Sequence, residues 1–504
     1  MTMARQIFEA TPPVSERGRS AWESPAHHGL LIGGEWRETA QHIPTIDPAT
    51  GRTIGHIADA SVADVDAAVA AARAAFPGWA ATLPATRAQI LWRIADLIER
   101  HIDELSELET LDQGKPLYVG RWAEIPGAVG QFRFFAGQAT AIEGRTMSPS
   151  IGYQPEGKKI AAWTTREPVG VVAAIVPWNS PLVLTAMKLA PALAAGCSIV
   201  LKPAEDTSLT ALRLGELMME AGLPAGVLNI VTGRGATCGS ALAAHPGVDK
   251  VAFTGSTQTG RAIVEASKGN LKRITLELGG KSPVLVLPDA DLDLATPGAA
   301  NAIFFNSGQV CVAGSRAYVH ASIFDKVMEG LAAQADAIQL GHGLNSGTQM
   351  GPVVSEVQAG RVAAFIDGAR TDGASIMAGG ERLGTAGTFI SPTVIADVRP
   401  DMSIVREEVF GPVLVVQRYD DLDAVIAQAN DSDYGLAASI WTESLSSAHR
   451  VSSALQAGTV WINCHSMYDA SLPIGGVKMS GYGRDSGIAA LDNYLEWKTV
   501  CAVV

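Results

Sequence analysis

Apolar residues in the first third of the chain recur mostly at helical spacing. A stretch capped by Ser61 has apolar residues three and four positions apart, which predicts a helix that ends at Pro77-Gly78. A longer helix with the same spacing begins near Thr86 and ends before Gly114. The segment 31–36 has a Gly-Gly pair between apolar residues and predicts a hairpin. These elements precede a change of pattern near residue 170.

From residue 170 onward, short apolar runs alternate with helical patterns. The predicted strands lie at 170–176, 198–201, 227–231, 250–253 and 274–277. The predicted helices lie at 182–195, 207–221, 234–244 and 257–268. Strands separated by helices form a parallel sheet covered on both faces, so we expect an α/β fold. Residues 283–480 repeat the alternation less regularly, with helices at 321–338 and 355–372, and predict a second α/β domain.

Three segments fit neither domain. Residues 1–28 are polar and contain Pro and Ser, and we expect them to form a mobile tail. Residues 150–167 and 487–504 match neither pattern. Within the second of these, the run 494–501 resembles an isolated strand that needs a partner elsewhere.

Composition narrows the class of protein. The chain has 504 residues, of which 47% are hydrophobic and 18% charged, enough for two or more cores. Its net charge is −13 and it has no run of Lys or Arg, so nucleic acid is not an expected partner. Residues 169–187 carry no charge over the length of a membrane span, but the prolines in 177–181 divide them into a strand and a helix. We therefore expect no membrane association.

One of the five cysteines stands out. The five share no CxxC spacing and no signal-peptide pattern precedes them, which favours a reducing cytoplasm without disulfides or a structural metal. Cys311 ends a Gly-Gln turn, and Glu277 ends an apolar segment. A thiol is a strong nucleophile, a carboxylate can deprotonate water, and the amide of Asn179 can face an oxyanion. Taken alone, each residue is better explained by core packing or turn formation.

Three loops after predicted strands have residues suited to a nucleotide. Gly255 and Ser256 stand between a strand and a helix, where free N–H groups can hold a pyrophosphate. Lys202 and Glu205 follow another strand, and a carboxylate there can accept hydrogen bonds from a ribose. Gly235 lies in a segment that only partly matches a dinucleotide fingerprint. Capped turns, solvated helix starts and helix packing remain alternatives for each of these loops.

Seven motifs resemble those of the aldehyde dehydrogenase family. They occur in the family's order between about residue 30 and the C-terminus: Pro177-Trp178-Asn179, Lys202-Pro203-Ala204-Glu205, Gly255-Ser256-Thr257 to Gly260, Glu277-Leu278-Gly279-Gly280-Lys281, Gly308-Gln309-Val310-Cys311, Glu407 to Pro412, and Pro473 to Lys478. Seven motifs in one order leave little room for chance. The stretches 162–170 and 469–473 and the ending 498–501 are most similar to those of bacterial phenylacetaldehyde dehydrogenases.

The resemblance implies a role for each matching residue. Cys311 would be the nucleophile, Glu277 the general base, and Asn179 with the Cys311 backbone N–H the oxyanion hole. Lys188 with Asp485 would relay protons, although many members have Glu in place of this Asp. The implied coenzyme is NAD rather than NADP, held by Val176, Pro177, Trp178, Lys202, Glu205, Gly235, Gly255, Ser256, Leu278, Glu408 and Phe410.

The resemblance also implies the walls of the substrate pocket. These would be Ser180, Leu184, Met187, Phe305, Tyr468 and Ile474. Many relatives have Phe at the positions of Ser180 and Ile474, so the pocket would be wider or differently shaped. An apolar lining without an Arg favours aromatic or long aliphatic aldehydes over aldehydes with a second carboxylate. Core packing is an equal alternative for each of these residues.

A division into domains follows from the same resemblance. Residues 29–149 and 168–279 would form an NAD-binding domain and residues 280–486 a catalytic domain. Residues 150–167 and 487–504 would form a small oligomerisation element in a homodimer or homotetramer.

The expected reaction is oxidation of a hydrophobic, phenylacetaldehyde-like aldehyde to its acid. Aliphatic, terpenoid and betaine-type aldehydes are the alternatives with the same chemistry. A thiol esterase without a coenzyme and a non-enzymatic structural protein are the alternatives of other classes. The coenzyme motifs argue against the esterase, and the intact Cys311, Glu277 and Asn179 argue against the structural protein.

Overall fold

Two twisted sheets, each with parallel central strands and helices on its faces, organise the fold. The computed structural model describes residues 7–23, 26–153, 155–384 and 386–504. The α/β fold class expected from the sequence is confirmed.

The first sheet has eight strands. In spatial order they are Gly481–Tyr482, Arg273–Glu277, Lys250–Thr254, Val171–Ile175, Ser198–Lys202, Leu228–Ile230, Leu30–Ile32 and Glu35–Arg37. The five central strands are parallel and correspond to the five predicted ones, while the hairpin and the strand at the other edge are antiparallel. The strand order reverses beside Val171–Ile175, and ligands of such sheets bind outside the carboxyl ends of the strands at this point.

Helices cover both faces of the first sheet. They are Val62–Ala80, Pro84–Arg100, Ile102–Gln113, Ile125–Ala139, Pro181–Ala195, Leu209–Glu220, Ser240–Ala244 and Thr257–Ala266. The prediction that Pro77 ends the first helix is wrong: the helix continues to Ala80, because burial of Trp79 in the core outweighs the lost backbone hydrogen bond. The predicted long helix is divided at His101, whose φ of −102° and ψ of 23° are not helical.

The second sheet has seven strands. In spatial order they are Ser375–Ala378, Thr393–Ala396, Val413–Tyr419, Arg316–His320, Pro283–Val286, Ala437–Trp441 and Thr459–Ile462. All neighbouring pairs are parallel except the first. The helices around it are Leu292–Phe304, Phe324–Ala337, Glu356–Thr371, Ser403–Arg406, Leu422–Asn430 and Leu445–Ala454.

The C-terminal strand has its partner within the same chain. Leu495–Val503 pairs antiparallel with Ile160–Pro168 along nine residue pairs, and Thr146–Met147 completes a three-stranded sheet. The run 494–501, expected to be a strand with a partner elsewhere, thus pairs with a distant segment of the same chain, and this long ladder satisfies one full edge of the strand. Its other edge is the edge of the sheet.

The described part of the expected mobile tail is folded against the rest of the protein. Ile7–Phe8 pairs with Leu340–Gly341, and the helix Glu16–Glu23 follows. The carboxylate of Glu107 accepts hydrogen bonds from the Val14 N–H (2.8 Å) and the Ser15 N–H (3.0 Å). These bonds explain the difference from the expected tail; residues 1–6 and 24–25 lie outside the described residues.

The uncharged segment 169–187 divides as its sequence predicts. It contains the strand Val171–Ile175 and the start of the helix Pro181–Ala195. In the part of the chain that the structure describes, no helix has both the length and the apolar character needed to cross a bilayer.

Candidate active site

Cys311 follows a turn with unusual backbone angles. Asn306, Ser307 and Gly308 have φ values of 49°, 57° and 70°, in the left-handed region that side chains disfavour. A Cβ on Gly308 would lie 2.0 Å from the Gly411 carbonyl oxygen, so only glycine fits there. Strain of this kind persists only where the surroundings enforce it, and it often marks functional sites.

Side chains around the turn hold it in place. The Ser307 hydroxyl donates to the Gly351 carbonyl at 2.8 Å. The Gln309 side chain accepts from the Val354 N–H at 2.9 Å and donates to the Asn306 carbonyl at 3.2 Å. The segment that positions Cys311 is therefore tied to the second sheet's loops.

Asn179 and the turn are bonded to each other. The Asn179 amide donates to the Gln309 carbonyl at 2.9 Å, and the Asn306 amide donates to the Asn179 carbonyl at 2.9 Å. Asn179 follows the strand Val171–Ile175 and is buried. These bonds bring the predicted amide donor to the turn that presents the thiol.

The environment of Cys311 favours the neutral thiol. The side chain is half-buried. Burial, reinforced by the negative charges of Glu277 and Glu408, raises the pKa of Cys311 to about 12, and the backbone N–H groups of Cys311 and Val312 only partly oppose this. Geometry places two of these groups together: the Gly280 N–H donates to Glu408 Oε1 at 3.0 Å, and a Cβ on Gly280 would lie 2.6 Å from the Cys311 carbonyl oxygen.

Glu277 occupies a tight apolar position at the end of its strand. A Cβ on Gly475 would lie 2.7 Å from Glu277 Oε1, so this glycine makes room for the carboxylate. Oε1 has no hydrogen-bond partner among the described residues. Burial, and then the charge of Asp485, raise the pKa of Glu277 well above its usual range, although Lys188 lowers it. This environment therefore favours the protonated form of Glu277 more than water does.

Lys188 and Asp485 form a buried ion pair beside Glu277. Lys188 Nζ lies 2.5 Å from Asp485 Oδ2, so the shorter Asp side chain does reach the lysine. Lys188 lies on the helix Pro181–Ala195, and Asp485 exchanges two backbone hydrogen bonds of 2.7 Å with Ile474. The predicted relay residues are therefore in contact.

The predicted ribose-binding residues form one cluster. Lys202 Nζ donates to Glu205 Oε2 at 2.9 Å, and the Gly235 N–H donates to Glu205 Oε1 at 3.1 Å. Burial alone would raise the pKa of Glu205, but the Lys202 cation and these hydrogen bonds lower it. Gly235 itself begins a short π-helical segment, so it belongs to a helix start that also contacts Glu205.

The next loop lies across the strand Val171–Ile175 from Lys202. Ser256 caps the helix Thr257–Ala266 by accepting from the Thr259 N–H at 3.2 Å, and its side chain is exposed. Gly255 donates its N–H to the Glu277 carbonyl at 3.0 Å, and Leu278 packs against Gly260. Val176 is buried and donates its N–H to the Lys202 carbonyl. This bond links the loop after the strand Val171–Ile175 to the end of the strand Ser198–Lys202.

Glu408 approaches the opposite wall of the site. The Gly280 N–H donates to Glu408 Oε1 at 3.0 Å, and a Cβ on Gly279 would lie 2.2 Å from Oε2. Burial raises the pKa of Glu408 to about 7. The rings of Trp178 and Phe410 meet edge to face at 5.1 Å. Pro177 is half-buried beside them.

Comparison with known proteins decides the family. The sequence pattern of the aldehyde dehydrogenase family matches residues 36–500. This chain belongs to the aldehyde dehydrogenase family. It is therefore an oxidoreductase, as its motifs predict.

Individual members of the aldehyde dehydrogenase family are similar along nearly the whole chain. The phenylacetaldehyde dehydrogenase of Pseudomonas fluorescens is 50% identical over 473 residues, 93% of this chain and 94% of that protein. The mitochondrial benzaldehyde dehydrogenase of Antirrhinum majus is 47% identical over 476 residues, 94% of this chain and 88% of that protein. The NAD⁺ complex of an aldehyde dehydrogenase from Bacillus cereus has a TM-score of 0.94 and 44% identity, covering 97% and 99% of the two chains.

The predicted pocket residues of this aldehyde dehydrogenase come from three parts of the fold. Ser180 and Leu184 are half-buried at the start of the helix Pro181–Ala195, and Met187 is buried one turn on. Phe305 and Ile474 are half-buried. Tyr468 is 47% exposed, and burial of its hydroxyl, followed by the charge of Cys311, raises its pKa.

Two residues near the site were not predicted. His465 is buried between the Val312 carbonyl (2.9 Å from Nε2) and the Ser439 hydroxyl (3.0 Å from Nδ1), and so supports the residue after Cys311. Glu124 accepts a hydrogen bond from Ser180 at 2.9 Å. Neither lies in a recognisable motif, because both act through contacts between distant segments.

Proposed function

We propose that this enzyme oxidises a hydrophobic aldehyde of the phenylacetaldehyde type to its carboxylic acid, with NAD as electron acceptor. The observation that carries the proposal is the hydrogen bond from Asn179 to the turn before Cys311, with the predicted coenzyme residues Trp178 and Phe410 in contact beside Asn179. The names of the aromatic-aldehyde relatives support the choice of substrate.

Cys311 attacks the carbonyl carbon, and Asn179 stabilises the oxygen that becomes negative. The thiol must lose its proton for this step, because its raised pKa keeps it neutral at rest. The Asn179 amide has a second N–H besides the one given to Gln309, and together with the Cys311 backbone N–H it supplies the oxyanion hole.

Glu277 activates the water that releases the acid. A carboxyl group with a strongly raised pKa is a good base once it has lost its proton. The adjoining Lys188–Asp485 pair can take up that proton and pass it on. Hydrolysis of the thioester on Cys311 then yields the carboxylic acid.

The chain's own residues fit a dinucleotide. Lys202 and Glu205 would hold the adenosine ribose, Ser256 a phosphate and Glu408 the nicotinamide ribose. Gly279 has no side chain and so leaves space for the Glu408 carboxylate. The Trp178–Phe410 pair would give a nicotinamide an aromatic surface to pack on. The negative charge of Glu205 disfavours a 2′-phosphate, which is the reason for NAD over NADP. A nicotinamide held there would supply the acceptor for the hydride of the substrate carbon.

A substrate panel tests the proposal. Phenylacetaldehyde, benzaldehyde, linear aldehydes, a terpenoid aldehyde and betaine aldehyde are each supplied with NAD and with NADP, and NADH or NADPH absorbance is followed. We expect the highest kcat/KM for phenylacetaldehyde with NAD. A higher value for betaine aldehyde or for a linear aldehyde would reject the aromatic substrate. Ester hydrolysis without any reduced coenzyme would reject the reaction.

We also propose that the protein is a cytoplasmic homo-oligomer with the domain division given above. The edge strand Leu495–Val503, with exposed Trp497 and Val503, supports assembly through residues 150–167 and 487–504. Light scattering on the eluted protein should give a dimer or tetramer mass. A monomer mass would contradict the oligomerisation element.

A further inference from the structure

The start of the helix Pro181–Ala195 carries a serine that does not cap it. Ser normally accepts a hydrogen bond from the first turn of the helix that it precedes. In this fully described helix, no backbone N–H bonds to the Ser180 side chain. Its hydroxyl instead donates to Glu124 Oε1 at 2.9 Å. The lone pairs of Ser180 Oγ are therefore left for another donor.

Glu124 fixes the direction of the Ser180 proton. The buried Lys115 ammonium lies 3.1 Å from the same Glu124 oxygen, so this oxygen faces two donors, Lys115 and Ser180, and is the acceptor of both. Ser180 is half-buried, whereas Glu124 is buried. The hydroxyl proton thus points away from the pocket, and the Ser180 oxygen meets the pocket as an acceptor.

A local irregularity of the backbone places Glu124. Residues Gly120–Glu124 form a π-helical turn before the helix Ile125–Ala139, and the Ile125 N–H bonds to the Gly120 carbonyl. A Cβ on Gly127 would lie 3.1 Å from Val183, so this helix packs closely on the one that carries Ser180. Short π-helical turns occur frequently at functional sites.

The Ser180–Glu124 pair and the thiol face the same space. Ser180 directly follows Asn179, whose amide donates at 2.9 Å to the carbonyl of Gln309, two residues before Cys311. Tyr468, which the family resemblance places in the pocket, is 47% exposed. A substrate whose carbonyl reaches Cys311 can therefore extend past Tyr468 towards Ser180.

The charge behind Ser180 is close to balanced. Lys115 is paired with both Glu124 and Glu109, and burial raises the pKa of Glu109 to about 7, which weakens its negative charge near neutral pH. A cationic substrate gains little from such a cluster. A neutral donor gains a hydrogen bond to an oxygen polarised by a carboxylate, which is stronger than one to an ordinary hydroxyl.

We propose that Ser180, oriented by Glu124, selects aldehydes that carry a hydroxyl group remote from the carbonyl, such as ring-hydroxylated arylacetaldehydes. Ser180 is the residue that contacts the substrate, and Glu124 is its positioning residue. The inference rests on the proposed function, because it assumes that an aldehyde binds between Cys311 and Ser180.

Matched substrates test the proposal, because a ratio of kcat/KM values within one enzyme does not depend on how much of that enzyme is folded. For each enzyme, kcat/KM is measured for phenylacetaldehyde, its 3- and 4-hydroxy derivatives and its 4-methoxy derivative, and only ratios are compared. We expect the wild type to prefer the better hydroxy derivative over phenylacetaldehyde by about tenfold, the value of one hydrogen bond to a polarised acceptor. The methoxy derivative has no donor and should gain nothing.

Two variants separate the roles, and a third is the control. Ser180→Ala should bring the hydroxy-to-parent ratio to about one. In Glu124→Gln the new amide can donate a hydrogen bond to Ser180, which frees the Ser180 hydroxyl proton to point towards the pocket. The kcat/KM of the methoxy derivative should therefore rise relative to that of the hydroxy derivative. Leu184→Ala changes pocket size but no polar group, and it should change the ratios less than Ser180→Ala does.

The outcomes are distinguishable. Equal use of parent and hydroxy aldehydes by the wild type, or a preference for betaine aldehyde, overturns the inference and leaves the dehydrogenase chemistry intact. An unchanged ratio in Ser180→Ala also overturns it. Failure to oxidise any aldehyde would instead reject the proposed function.

Discussion

At the scale of single residues, the site combines two acids whose pKa values are both raised. Burial and neighbouring negative charge raise the pKa of Cys311 and of Glu277. A low-pKa thiolate is the usual form of a reactive cysteine, so in the proposed reaction the thiolate of Cys311 forms only by proton transfer. This arrangement makes the roles of the two residues separable by mutation.

Glu277→Gln should trap the acyl-enzyme. The amide keeps the shape of the side chain but cannot take a proton from water, so one equivalent of NADH should form in a burst and the later steady rate should fall about 10²–10⁴-fold. Stopped-flow absorbance measures both phases. Cys311→Ala is the control and should give no burst. A Glu277→Gln enzyme with no burst would contradict the role as deacylation base.

Asn179→Ala should leave a weak enzyme. Removal of one oxyanion donor lowers kcat by about 10²–10³. The Asn179 carbonyl that accepts from Asn306 belongs to the backbone and remains, so the turn keeps that support. Asn179→Asp has a similar shape without the amide donors and should be equally impaired in steady-state assays. Near wild-type activity in either variant would exclude this oxyanion hole.

His465 should make stability depend on pH. Burial lowers its pKa from 6.5 to about 4, so between these values the unfolded chain takes up a proton that the folded protein does not. Stability is therefore lost as the pH falls from 6.5 towards 4, by up to about 3 kcal/mol. Urea midpoints of wild type and His465→Gln should converge over this range. A constant difference between them would contradict the assignment.

At the scale of elements, the turn 306–308 is the strained connection that presents the thiol. It follows the helix Leu292–Phe304 and meets the loop at Gly411 at very short range. Such a turn is stable only because several hydrogen bonds from other segments oppose its strain.

Gly308→Ala should destabilise this turn and reduce activity. The added Cβ meets the Gly411 carbonyl, and the φ of 70° is unfavourable for Ala, together a cost of about 2 kcal/mol or more. Gly360→Ala is a matched control: it lies within the helix Glu356–Thr371 with nothing within 4 Å of the new Cβ, and should raise stability by up to about 1 kcal/mol. Thermal melts of both variants measure the difference. Equal melting temperatures would argue against strain at Gly308.

At the scale of the whole molecule, the residues proposed to bind the coenzyme lie in loops of both the first and the second sheet. Lys202 and Ser256 follow strands of the first sheet, whereas Glu408 precedes Val413–Tyr419 of the second. The hydrogen bond from the Gly280 N–H to Glu408 joins these two regions. A ligand that contacts both regions stabilises them together.

NAD should raise the melting temperature more than NADP. A ligand present at about 100 times its Kd adds about 2.7 kcal/mol to the folded state, and the repulsion between Glu205 and a 2′-phosphate should weaken NADP. Differential scanning fluorimetry with each coenzyme measures this. In Glu205→Gln the gap between the two coenzymes should narrow. Equal stabilisation of the wild type by both would contradict the NAD preference.

The sequence by itself determined the alternation of strands and helices and the order of the motifs. Both are local properties, because the spacing of apolar residues and the presence of turn residues determine structure over only a few positions. The five central strands and the turn before Cys311 could therefore be predicted. The same local rules explain the errors. Pro77 alone predicts a helix end, but the burial of Trp79 overrides it.

Only the tertiary structure decided which distant segments meet. The pairing of Leu495–Val503 with Ile160–Pro168, the anchoring of the N-terminal segment on Glu107 and the bond from Ser180 to Glu124 join residues far apart in the chain. No spacing in the sequence encodes such contacts, because they depend on how whole elements pack. The elevated pKa values of Cys311 and Glu277 have the same origin, since burial and neighbouring charge exist only after folding.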